Sequence, residues 1–199
     1  MPPTNALPSS VTNSASTNDR FSFLMEVTRA YVREGDFLSA ASAARRALEL
    51  RPGDPEALTA LSYAYISSKS YRKAEKILKQ LASRYPDNGT AFNNLAWIYA
   101  TSEDAGFRDG KRALSYAHMA LVLTPDDYHV WNTLAETYYV LGNYERALRA
   151  AEHEVWLIQR NGIQLLEKER REYSMQIRKC RWAVETQNAL KEMTDHESE

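Results

Sequence analysis

The chain has 199 residues, a formal net charge of -1 and 44% apolar residues, enough to bury a core of ordinary size. Near-balanced charge argues against a broadly basic face for nucleic acid, although a local patch stays open. A single cysteine, Cys180, excludes an intrachain disulfide and any zinc site of several thiolates, and no run approaches the ~20 apolar residues of a membrane span.

The N-terminus, MPPTNALPSSVTNSASTNDR, has neither the basic start nor the apolar centre of a secretory signal. Its Pro, Ser, Thr and Asn content predicts a disordered tail over 1–19, since so little apolar surface cannot offset the ordering entropy. A processed tether would read the same way. The expected location is therefore the cytoplasm, or the periplasm or cell envelope if the tail is such a tether.

From residue 21 onward a period is visible. Tyr31, Tyr65 and Tyr99 are 34 residues apart, and Tyr138 follows 39 residues later. Ala40, Ala74, Ala113 and Ala147 keep the same intervals, as do Pro52, Pro86 and Pro125. Leu24, Leu58, Phe92 and Trp131 hold the register, each followed three residues later by Val27, Leu61, Leu95 or Leu134. Apolar residues within a unit recur at helical spacing. Gly35-Asp36 and Gly142-Asn143 divide units into two helices, the glycine closing one and the Asp or Asn capping the next. The prolines stop each second helix, and Asp54, Asn88 and Asp127 are the expected caps of the helices that follow. Alanine at the crossing lets the two backbones approach.

These positions resemble the tetratricopeptide repeat, a 34-residue helix-turn-helix unit. In the first repeat the pattern reads Leu24, Val27, Thr28, Tyr31, Gly35, Phe37, Ala40, Ala44, Ala47 and Pro52. The resemblance implies an all-α fold, a right-handed superhelical α-solenoid of helix pairs, with repeats over 21–54, 55–88, 89–127 and 128–161. The third repeat is lengthened in the connection spanning 102–110, and its LAW-x-x-AT followed by RDG-x-RAL is similar to bacterial members of the family. Slack, or a small wall beside a groove, is the expected role of that loop, because closure entropy grows only with the logarithm of length. Asp109 is placed to cap the next helix. The fourth repeat has Glu154 and Gln159 where Ala and Pro would stand, so its second helix is expected to run on to Asn161-Gly162.

After this comes a long amphipathic stretch, 162–194, with Ile163, Leu166, Tyr173, Ile177, Cys180 and Val184 on one stripe, followed by an acidic tail over 195–199. A repeat stack exposes an apolar face at its end, and a capping helix covers it. Self-association through residues 163–193 is the alternative use.

Searching for chemistry finds no glycine-rich phosphate loop, no His-Glu-x-x-His pair and no Gly-x-Ser-x-Gly elbow. The four histidines lack metal-ligand spacing, and Glu152-His153-Glu154 is read as a solvated helix face. No enzyme, cofactor or metal is expected. The resemblance instead implies a non-catalytic adaptor or scaffold that holds a protein or peptide segment in the concave groove. It places Arg29, Tyr63, Asn93, Asn94, Trp97, Asn132, Glu136 and Tyr139 on that face, with Trp97 in the groove and Trp131 in the core. The family's two-carboxylate clamp of Lys, Asn, Asn, Lys and Arg is absent in both possible frames, which argues against a chaperone-tail ligand. A nucleic-acid binder would have to use the convex Arg45, Arg46, Lys73, Lys76 and Lys79 with Arg178 and Lys179, and the charge balance speaks against it.

Overall fold

The computed structural model describes residues 9–196, which contain nine helices and no strand. These are α1 Ser9–Glu34, α2 Phe37–Leu50, α3 Pro55–Ser67, α4 Tyr71–Arg84, α5 Gly89–Thr101, α6 Gly110–Leu123, α7 Tyr128–Val140, α8 Tyr144–Arg160 and α9 Glu167–His196. The chain divides between Pro86 and Asp87 into two compact units, the first holding α1 to α4 and the second α5 to α9. The all-α repeat architecture is as expected from the period.

Helix ends follow local chemistry. The side chains of Asp36, Asp54, Asn88, Asp109 and Asp127 each accept a hydrogen bond from a backbone N–H in the first turn of the next helix, satisfying a donor that the helix itself leaves open. Asn143 makes no such side-chain bond. α2, α4 and α6 end at Leu50, Arg84 and Leu123, two residues before Pro52, Pro86 and Pro125, as the proline geometry requires.

One backbone bond recurs at the turn inside every repeat. The N–H of Asp36 donates to Tyr31 O, that of Ser70 to Tyr65 O and that of Asn143 to Tyr138 O, at 2.8 to 2.9 Å. In the third repeat the N–H of Asp109 donates to Tyr99 O at 2.9 Å. The closure is the same although the intervening segment is five residues longer. The loop over 102–109 also makes packing and hydrogen-bond contacts rather than hanging slack, which corrects one of its two expected roles and leaves the small wall. Phe107 stacks on Tyr99 at 5.3 Å, Tyr99 stacks on Tyr116 at 5.9 Å, and Asp104 is held by Ser102 and in turn accepts from the Gly106 N–H. Gly110 opens α6 because a Cβ there would meet the Leu141 side chain at 2.8 Å.

The crossing alanines Ala40, Ala74, Ala113 and Ala147 are all fully buried. In the first unit Ala40, Ala44, Leu61 and Ala64 form one cluster, and Phe21, Leu24, Met25, Ala47 and Ala57 another. In the second, Val130, Leu134, Ala135, Ala150 and Ala151 pack with Ala96, Ala117 and Ala120.

The termini depart from the sequence reading. Residues 1–8 of the expected tail lie outside the described residues, but from Ser9 the chain is already α1. Adding turns to a helix that is anchored further on costs far less than nucleating one, and two contacts anchor it where the extension joins the first repeat. Asn18 accepts from Arg51 at 2.8 Å, and the Arg51 guanidinium lies 4.0 Å above the Phe21 ring. At the other end α8 runs to Arg160 as expected, but 161–166 is turn and irregular chain. α9 therefore starts at Glu167, so Ile163 and Leu166 are not part of its stripe. The last residues of the acidic tail, 197–199, lie outside the described residues.

Candidate protein-binding face

The first helices of the repeats, α1, α3, α5 and α7, carry the residues expected to meet a partner. In the first unit Arg29 reaches from α1 to Glu56 on α3 at 2.7 Å, with both side chains at least half exposed, a pairing of little energetic weight. Tyr63 on α3 is 46% exposed and meets Phe37 edge-on at 6.3 Å. Its neighbours Leu58, Leu61 and Ala64 fill the core, so the ring is left for another surface.

In the second unit Asn93, Asn94 and Trp97 on α5 are half-buried, and Asn93 Oδ1 is buried without a hydrogen-bond partner. Trp131, expected in the core, is only half-buried too. Its Nε1 donates to Pro125 O at 2.8 Å, and its ring lies 4.0 Å from His153. The indole N–H needs an acceptor, and reaching one holds the ring at the edge of the core. The two tryptophans are therefore not opposites in burial.

The fourth repeat is where sequence reasoning missed most. α9 supplies side chains to its inner face, so Asn132, Glu136 and Tyr139 are already engaged. Lys179 donates to both Glu136 carboxylate oxygens at 2.7 and 2.8 Å, and its ammonium lies 4.2 Å from the centre of the Tyr139 ring. Gln176 donates to Glu136 at 3.1 Å, and Gln176 accepts from Asn132 at 3.1 Å. Asn132 also donates to Glu154 Oε2 at 3.2 Å.

Glu154 is not on a solvated face. It is 0% exposed, its Oε1 has no hydrogen-bond partner, and burial pushes its carboxyl up to about 8, with the Asn132 bond opposing and the Glu136 charge adding. Near neutrality it therefore holds a proton. Tyr173 on α9 is pushed up by the same burial and then by Glu154, and it meets Tyr128 edge-on at 6.4 Å. The signal in the sequence was the departure itself, a carboxylate at a repeat position that holds Ala47, Leu81 and Ala120 in the other repeats. The amide and ammonium that engage its neighbours Asn132 and Glu136 sit three residues apart on α9, at Gln176 and Lys179.

Among the described residues no group of three or more His, Cys, Asp or Glu is arranged to hold a metal, and no helix is long and apolar enough to cross a membrane. Residues 31–98 match the family described as tetratricopeptide repeat. The fold is that of a tetratricopeptide-repeat protein. Solved structures share this fold at low identity. The Thermus thermophilus protein TTC0263, a thermophilic tetratricopeptide protein, is 22% identical with a TM-score of 0.62, covering 69% of this chain and 74% of that one. The Pseudomonas aeruginosa pilF structure is 19% identical with a TM-score of 0.61, covering 83% and 78%. A mutant Thermobaculum terrenum O-GlcNAc transferase is 20% identical with a TM-score of 0.59, but the likeness spans 72% of this chain and only 26% of the transferase. No curated protein matches the chain in sequence.

Proposed function

We propose that this tetratricopeptide-repeat chain is a non-catalytic adaptor that binds a protein segment through the first helices of its repeats. The observation that carries the reading is Tyr63, an aromatic left 46% exposed on an inner helix whose core positions are already filled. Exposed aromatics dominate protein interfaces because they bury large area at small entropic cost. Asn94 and Trp97 on α5 offer the same chemistry in the second unit, an amide that donates and accepts beside an indole. Asn132, Glu136 and Tyr139 contribute less than expected, because α9 already engages them. The ligand is accordingly a neutral or weakly charged segment with apolar side chains.

A photo-crosslinking amino acid placed at Tyr63, at Asn94 and at Arg46, the last on the exposed side of α2, tests this in extract of the native cell. The expected result is one common crosslinked protein at 63 and 94 and none at 46. Equal crosslinking at all three positions, or none at 63 and 94, removes the reading.

A further inference from the structure

α9 has two unlike faces. One buries Gln176, Cys180 and Ala183 against the rest of the second unit. The other carries Met175, Trp182, Leu190 and Met193, between 58 and 66% exposed. Met175, Trp182 and Ala189 recur every seven residues, and Lys179, Thr186 and Met193 fall between them to give alternating steps of four and three. This is the 3.5-residue period of a helix-pairing seam. The seam is not wholly apolar. Lys179 turns its ammonium to Glu136, and the Thr186 hydroxyl donates to Trp182 O; polar residues at such positions fix register at a cost in stability. Every side chain from Asn188 to Asp195 is exposed.

The charges beside the seam select the occupant. One flank holds Gln176 and Ala183, buried in the protein's own fold, and ends in the exposed Leu190. The open flank carries Arg171, Arg178, Glu185 and Glu192, again every seven residues, and their sign reverses at the midpoint. Arg171 bonds Glu167 one turn back, an exposed pair of little strength. In a parallel pair the open flank of one helix would face Gln176 and Ala183 of the other, which are not accessible. In an antiparallel pair the open flank faces itself. Arg171 then lies opposite Glu192, Arg178 opposite Glu185, and the twofold axis repeats both.

We propose that two copies of this chain associate through this face of α9, antiparallel, with the two Trp182 rings beside the twofold axis. The overlap from 171 to 192 is about 33 Å at about 1.5 Å per residue. A closed twofold pair uses one patch twice and leaves no open end. Trp182, at the centre of the seam, supplies the main apolar anchor, while the flanking charges set orientation. The pairing is tested at Arg171, Arg178, Glu185 and Glu192 and the adaptor reading at Tyr63 and Asn94, so the failure of one is distinguishable from the failure of the other.

Sedimentation equilibrium of the full chain over a wide concentration range at low salt tests the pairing. The expected mass rises with concentration from 22.7 kDa towards twice that value. The double reversals Arg171→Glu with Arg178→Glu, and Glu185→Arg with Glu192→Arg, should each weaken pairing by roughly tenfold or more, with helix content and melting temperature kept. An equal mixture of the two should pair again, because every flank contact is then between opposite charges. If a reversal fails to fold, Glu185→Gln with Glu192→Gln gives the same reading with a smaller loss. A chain that stays monomeric throughout, leaving the stripe to a foreign partner, overturns the proposal. So does a dimer indifferent to both reversals, or a mixture that does not recover.

Discussion

Glu154 shows how one side chain couples burial to pH. Its carboxyl is raised from the ordinary 4.5 to about 8, chiefly by burial. Below about pH 4.5 both the folded and the unfolded chain hold the proton. Between 4.5 and 8 the folded chain keeps a proton that the unfolded chain has lost, so stability falls as pH rises through that window and levels off above it. At neutral pH the cost is on the order of 3 kcal/mol. Glu154→Gln should flatten this fall, which denaturant unfolding at pH 5 and pH 8 will check; an unchanged slope would place the titration elsewhere. Cys180 belongs to the same packed face. Burial pushes its thiol up to about 11, with Lys179 opposing and Glu136 adding. A thiol out of water and protonated at neutral pH is inert. Native protein should therefore react with a thiol reagent only as fast as α9 detaches, and labelling as rapid as in denaturant would contradict the packing.

At the scale of helices, most of the fold was legible because the repeat states each constraint several times. Caps, crossing alanines and prolines agree on one register, and that register is what the structure shows. Two things were not legible. The α1 extension leads into tertiary contacts of Asn18 and Phe21 with Arg51, which composition does not carry. The seat of α9 depends on long side chains meeting 40 or more residues away, and no local period reports that. The repeat also predicts where it is strained. Lys69 takes φ of 57° at the turn between α3 and α4, where the first and fourth repeats place Gly35 at 78° and Gly142 at 74°. A left-handed non-glycine residue costs roughly 1–2 kcal/mol, and glycine returns roughly 0.5–1 kcal/mol of that as chain entropy. Lys69→Gly should thus leave a net gain of up to about 1 kcal/mol in unfolding free energy. Ala147→Leu, at a crossing with no exposed area, should lose roughly 1–3 kcal/mol by overpacking. A neutral result in denaturant unfolding would mean that the fourth repeat can spread.

At the scale of the whole chain, α9 serves the second unit as a cover for residues that could not stand uncovered. A chain stopped at Gly162 would leave the Asn132 amide, Glu136 and the Glu154 carboxyl without their α9 neighbours and would open the apolar surface around Cys180. It should melt several degrees lower than the full chain or aggregate, since exposed apolar surface at the end of a repeat array is not tolerated; calorimetry of both chains reads the difference. The six residues 161–166 that lead into α9 have a further effect. A short link holds its cargo at about millimolar effective concentration. Gln176 and Lys179 are therefore a standing competitor for Asn132, Glu136 and Tyr139. A free segment present at micromolar levels would meet a rival about a thousand times more concentrated. On the proposed adaptor reading, only a ligand that binds those three residues correspondingly better than α9 does, or one that leaves them alone, would be admitted, and the tethered helix would set an affinity threshold on the fourth repeat.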